Sequence, residues 1–172
     1  MITTFILLLS WFNASSVDQP TNENSSIIFT VLNAGFEVSG TLQVDQLDLR
    51  FDPKNLSQSS VFVRVDPSSI KTGISVRDKH LKRSDYFDVE HYPEIHLKSR
   101  SFQKTARSAF LGKFDLTVKG ITRIVEIPFT AKKDNGGILY EVNLEINRLD
   151  FELGAPSIIL GNDVEVKARI RY

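Results

Sequence analysis

Arg77, Asp78 and His80 stand within four residues of one another and are the polar cluster in this chain best placed to do chemistry. On a helix, Arg77 and His80 are three apart and share a face. With Asp78 they could hold the polar head of a ligand or gate its entry. Arg77 and Asp78 read more readily as the cap and brace of a short helix against the barrel, since an acidic side chain suits a helix start. His91 and His96 are five apart. That spacing fits neither a helical i, i+4 pair nor alternate residues on one face of a strand. With Asp85 and Asp88 nearby they still form no recognised metal-ligand pattern. There is no Cys, which removes disulfides, thiolate nucleophiles and Cys metal clusters together. No Gly-x-Ser-x-Gly elbow is present to support a hydrolase. Arg148 and Asp150 read as a structural ion pair on a strand. No catalytic residue, metal ligand or cofactor is therefore assigned, and the expected chemistry is binding rather than catalysis.

The bulk numbers set the frame for those residues. A chain of 172 residues suits one domain, of a size that buries roughly two thirds of its unfolded surface. Lys plus Arg and Asp plus Glu both number 21, so there is no basic excess to neutralise nucleic-acid phosphates. Near the start, Phe5 to Phe12 is an apolar run followed by the small residues Ala14-Ser15-Ser16. That pattern reads as a signal peptide over 1–16, with a polar linker over 17–24 and a domain over 25–172. The run is shorter than the ~20 residues that span a bilayer, so no membrane span is expected in the mature chain. The expected location is periplasmic or secreted.

From Ser25 onward the dominant period is two. Phe29 and Val31, Leu49 and Phe51, Val63 and Val65, Phe114 and Leu116, and Val142 and Leu144 each sit on one side of an alternating run. Leu97 and Phe129 belong to two more such runs. Successive strand side chains point to opposite faces, so each run has one apolar face. Strict alternation argues for about eight half-buried antiparallel strands. Closing them into a barrel or sandwich would hide both the apolar faces and the strand edges. The twelve named apolar residues then either line a ligand tunnel or pack as a solid core. Asp134-Asn135-Gly136-Gly137 reads as a hairpin, with Asn-Gly taking positive φ at its tip.

One segment breaks the rhythm. Ser68 to Pro93 is charged and poorly alternating, and Ser75-Val76-Arg77-Asp78 matches a capping box. A helix over Val76 to Lys82 should follow, and Ser84 could cap a further turn. The β-rich chain is thus expected to carry a helical insertion around 76–90.

These stretches carry a family resemblance. Ser69-Ile70-Lys71-Thr72-Gly73, then Arg77-Asp78-Lys79-His80-Leu81, then Asp85-Tyr86-Phe87-Asp88 and Tyr92-Pro93 resemble a run of the YceI-like family in its order. Gly112 to Thr122, Asn147-Arg148-Leu149-Asp150-Phe151 and Gly161-Asn162-Asp163-Val164 resemble three later stretches of it. Many members have a His near the end of the first strand, where this chain reads Leu32-Asn33-Ala34-Gly35. The resemblance implies an all-β fold, an extended eight-stranded antiparallel barrel similar to lipocalins, and export. It also implies that a polyisoprenoid or another long apolar chain (a quinone, a fatty acid or amide) is held inside, and a non-catalytic carrier, storage or stress role fits such binding. A homodimer is compatible with it. Two rival readings differ in class: a small outer-membrane barrel, and a metal-dependent enzyme.

Overall fold

A computed structural model describes residues 26–172. The expected signal peptide over 1–16 and linker over 17–24 lie outside the described residues. Eight strands follow in chain order: β1 (Ser26–Asn33), β2 (Phe36–Arg50), β3 (Ser60–Lys71), β4 (Ile95–Lys104), β5 (Ala109–Val118), β6 (Ile121–Asp134), β7 (Gly137–Asn147) and β8 (Leu160–Arg171). Each pairs antiparallel with the next, and β1 pairs with β8, so the sheet closes into a barrel with no free edge. One helix, α1 (Ser75–Leu81), lies between β3 and β4, and a 3₁₀ turn over Arg148–Phe151 follows β7.

The long strand β2 has two halves whose inward residues differ in parity. Val38, Leu42 and Val44 face the interior before the change, and Leu47 and Leu49 after it. Val44 opposes Val65 and Gln46 opposes Arg64, so Asp45 is an extra residue in β2, a β-bulge. β4 repeats the device. Ser99 opposes Phe114 and Ser101 opposes Lys113, which leaves Arg100 extra and turns Phe102 inward after Ile95 and Leu97. In β3 the slip is larger, since five residues (Asp66 to Lys71) advance against two in β2 (Gln43 to Thr41). Asp66 holds that kink. Its carboxylate accepts from Ser68 N at 2.7 Å and Ser68 Oγ at 2.8 Å.

Two hairpins turn on paired positive-φ residues, Ala34 (53°) with Gly35 (81°) and Lys119 (48°) with Gly120 (73°). Positive φ at both central residues is the tight turn that matches strand twist. The 134–137 hairpin forms as expected, with Asp134 opposite Gly137. Its positive φ is not at the Asn135-Gly136 tip, however, but at Gly137 (128°). Asp134 accepts from Gly136 N at 2.9 Å and pairs with Arg171 at 2.7 Å, and together these fix the tip.

The capping-box reading is also corrected. The helix spans Ser75–Leu81, its N-cap is Ile74, and no side chain caps it. Asp78, the residue meant to close the box, is taken elsewhere: it accepts from the backbone and hydroxyl of Thr72. Beyond α1 the insertion runs through turns rather than a second helix.

Arg148 is not an ion-pair partner of Asp150 on a strand. It sits in the 3₁₀ turn and is 3% exposed. Its guanidinium donates to the carbonyls of Gly161 (2.8 Å), Leu153 (2.8 Å) and Ala155 (3.0 Å) and to Asn162 Oδ1 (3.2 Å). A buried guanidinium saturated by carbonyls ties the 152–162 loop to the barrel end. Removing it would leave several acceptors unpaired, each at a cost of about 1–3 kcal/mol. Arg148→Met is expected to lower the stability to urea by about 3 kcal/mol or more. An unchanged unfolding midpoint would mean that other contacts hold the loop.

Candidate functional site

The barrel encloses a cavity of about 610 Å³. The strand register gives it two different ends. At one end β2 hands over to β3, β4 to β5 and β6 to β7. There Phe51 sits edge-on to Phe102 (5.4 Å), Phe110 (4.9 Å), Phe129 (5.3 Å) and Tyr140 (6.0 Å). Phe110 stacks on Phe129 at 5.5 Å. Edge-to-face rings at these distances are a favourable arrangement. Phe110 is 2% exposed and Tyr140 5%, so this aromatic group closes the end. Burial pushes the Tyr140 hydroxyl above its ordinary value of 10.0, which keeps it neutral.

The opposite end carries the hairpins at 34–35 and 119–120, α1, the 3₁₀ turn and the 152–159 loop. Half of it is packed. Val118, Phe151 and Leu153 form a buried cluster, against which Tyr86 and Phe87 of the insertion lie. Gly154 N donates to Asp85 O at 2.8 Å, and the Tyr86 ring covers Gly154 so closely that a Cβ there would lie 2.8 Å from it. The Tyr92 ring likewise leaves only 2.6 Å for a Cβ at Gly120. The remaining half is the mouth. Asn33, Val38, Thr72, Arg77, His80, Leu81, Ser157 and Ile159 all line it.

All twelve apolar residues singled out from the sequence lie on this one wall: Phe29, Val31, Leu49, Phe51, Val63, Val65, Leu97, Phe114, Leu116, Phe129, Val142 and Leu144. Of the polar trio, Arg77 and His80 reach the lining and Asp78 does not. Arg77 Nε donates to Thr72 Oγ1 at 2.7 Å, and its Nη2 to Thr72 O at 2.8 Å. Asp78 and Arg77 thus grip the same residue from two sides. That clamp fixes the start of α1 to the end of β3. The hydrogen bond from the Thr72 hydroxyl holds the Asp78 carboxyl below its ordinary value of 3.8, with lesser help from the Thr72 amide and from Arg77.

The histidines go to three different carboxylates: His80 to Asp85 (3.4 Å), His91 to Asp88 (2.8 Å) and His96 to Glu94 (2.8 Å). The hydrogen bond to Asp88 raises the His91 ring above its ordinary 6.5. Among the described residues no three His, Cys, Asp or Glu side chains come together. Sequence reasoning left Phe102, Ile70 and Tyr86 out of the interior, and all three line the cavity. Phe102 and Ile70 follow register slips that reverse their parity. Tyr86 belongs to the irregular insertion, where period two says nothing.

The comparisons with known proteins agree with this architecture. A family profile for the YceI-like domain matches residues 17–172. A UPF0312 protein of Photorhabdus laumondii is 30% identical over 168 residues, covering 90% of this chain and 85% of that protein. A UPF0312 protein of Vibrio parahaemolyticus is 31% identical over 105 residues, and the match covers 60% of this chain and 56% of the Vibrio protein, little more than half its length. Among solved structures, BcnA of Burkholderia cenocepacia has a TM-score of 0.81 at 20% identity, covering 85% of this chain and 94% of that one. A domain from Saccharophagus degradans, described as polyisoprenoid-binding and implicated in plant cell wall breakdown, has a TM-score of 0.65 at 14% identity, covering 85% and 91%. At those identities the likeness to solved structures is one of fold.

The Asp78 clamp has a pH signature. Because its folded value is depressed, the stability it contributes is present above its unfolded value near 3.8 and is lost as pH falls through the lower folded value. Asp78→Asn keeps the shape and removes the charge. Its melting temperature is expected to fall below that of the parent at pH 7, and the difference should shrink as the pH drops below 3.8. Equal melting temperatures at pH 7 would show that the carboxylate does not secure the helix.

Proposed function

The chain belongs to the YceI-like family, and on that premise we propose that its barrel holds one long apolar molecule, an isoprenoid or another lipid, as a carrier without catalytic chemistry. The observation that carries this reading is the cavity itself: about 610 Å³, walled mostly by apolar strand residues from all around the barrel, blocked by aromatic rings at one end and with most of its polar residues at its mouth. Small-molecule sites commonly fall between about 300 and 1,000 Å³. A ten-residue strand extends roughly 33 Å, which a tilt of about 40° reduces to roughly 25 Å along the axis. The space is therefore long and narrow, and it suits a slender chain better than a compact ring system. Burial contributes about 0.8 kcal/mol per methylene. About twenty carbons would then supply roughly 15 kcal/mol before association costs of the order of 4–15 kcal/mol. Apolar contact alone can supply useful affinity. The polyisoprenoid-binding description of the Saccharophagus degradans domain supports the same ligand class.

The head of such a molecule would face the mouth, where Asn33, Thr72, Arg77, His80 and Ser157 offer hydrogen bonds. The protein acts outside the cytoplasm, in the periplasm or as a secreted protein, a location that the apolar run before residue 17 supports. A membrane barrel would need an apolar outer band. Here the outward faces carry ion pairs such as Arg100–Asp115, Lys113–Glu126 and Lys132–Glu141.

The test is purification without detergent, solvent extraction and mass spectrometry of what leaves the protein. A long-chain lipid is expected at close to one per chain. Val142 and Ala168 face each other across β7 and β8 and both line the cavity. Val142→Phe with Ala168→Phe should fill the lumen and cut retention at least tenfold, with Ala168→Phe alone as the milder variant. A filled variant that folds by circular dichroism and still carries its full load would rule out an interior site.

A further inference from the structure

Ten large hydrophobic residues are exposed among the described residues, and besides Tyr92 over Gly120 six of them lie at the helix-bearing end: Leu32 (53%), Phe36 (76%), Ile74 (54%), Val76 (75%), Ile158 (105%) and Ile159 (58%). Single exposed apolar side chains are ordinary, but a group of them at one place marks a contact surface. Backbone pairing brings four of these together. Leu32 and Phe36 flank the 34–35 hairpin, Ala34 N donates to Ile159 O at 2.8 Å, and Leu32 O lies against Gly161. Ile74 and Val76 begin α1, whose Arg77, His80 and Leu81 line the same mouth. Ile159 is both exposed and part of the cavity wall. Ile159 therefore joins the apolar rim to the cavity wall.

The charges beside the rim point to its partner. Residues 71–83 hold Lys71, Arg77, Lys79, Lys82 and Arg83 against Asp78 alone, in a chain with no net charge. Asp78 and Arg77 are both engaged with Thr72. Lys71, Lys79 and Arg83 are exposed and make no ion pair among the described residues. Glu37, beside Phe36, and Asp85, 3.4 Å from His80, are outnumbered by these cations. Protruding apolar residues flanked by unpaired cations match a bilayer surface with anionic headgroups, where the former enter the interface and the latter meet phosphate.

We propose that the helix-bearing end of the barrel docks on an anionic lipid bilayer, setting the cavity mouth against the membrane. This rests on the lipid reading of the cavity for its purpose, because an apolar chain could then pass between bilayer and barrel without crossing water. The geometry of the rim stands apart from that reading.

Flotation of the purified full chain with vesicles tests it. Binding is expected to phosphatidylcholine vesicles containing phosphatidylglycerol, weaker binding to phosphatidylcholine alone, and partial release by salt. Each basic residue near such a surface strengthens binding about fivefold, so Lys71→Gln, Lys79→Gln and Arg83→Gln together should weaken binding to the anionic vesicles about a hundredfold. Phe36→Ser with Ile158→Ser should weaken binding to both kinds of vesicle while leaving the circular dichroism spectrum unchanged. A parent protein that ignores anionic vesicles, or a rim variant that binds as well as the parent, overturns the proposal. So does sedimentation showing a dimer that Phe36→Ser with Ile158→Ser dissociates, since the rim would then belong to a second copy of this chain. Lipid extraction from the same preparations separates the two readings. Loaded protein that does not float defeats only the docking surface, and empty protein that floats defeats only the cargo.

Discussion

A strand that gains one residue relative to its neighbour turns every later side chain over, and the inside of this barrel depends on how that rule is met. β2, β3 and β4 each slip, near Asp45, between Asp66 and Lys71, and at Arg100. In each case the apolar residues change parity at the slip, so that Val44 and Leu47, Val65 and Ile70, and Leu97 and Phe102 all face inward. Without that change, half of a long strand would put its leucines and valines into water and its charges into the lumen. Bulges bend and twist strands, which a small closed barrel needs in order to meet its own first edge. Curvature and an unbroken apolar lining are therefore obtained from the same few positions.

The second requirement is to end the tube. The stretches that carry the family resemblance are scattered along the chain, yet in space they hold one another or a neighbouring loop at the helix-bearing end. Thr72 is held by Arg77 and Asp78, Tyr86 covers Gly154, Tyr92 covers Gly120, and Arg148 reaches Gly161 and Asn162. Each is a ring over a glycine or a charged side chain on backbone groups and polar side chains, the kind of contact that fixes irregular chain. Arg77 and Asp78 therefore act first as braces, and Arg77 touches the cavity while performing that task.

Period two made the wall legible. The twelve apolar residues picked from alternation all face one cavity, because alternation and inward direction are the same fact in a strand. The irregular parts were less legible. The Ser75 capping box looked sound, but Thr72 competes for Asp78 and takes it, and nothing local to 75–78 announces that partner. Arg148 and Asp150 looked like an ion pair two residues apart; a tight 3₁₀ turn instead aims the guanidinium into a loop beyond it. At the Asn135-Gly136 tip, positive φ moves one residue on, to Gly137. In all three, a contact just outside the motif or a turn one residue out of step decided the outcome. The hollow itself has no mark in the sequence, because a wall and a solid core use the same residues.

Phe51 and the four rings around it give the barrel a blind end. A vessel with one opening admits no through traffic: whatever occupies it must back out along the path by which it came. Two occupants cannot pass each other, so exchange has to proceed by departure and then arrival, with an empty barrel in between. The depth of the blind end also acts as a gauge, for a tail that reaches the rings can go no deeper and any excess length is left standing outside the door.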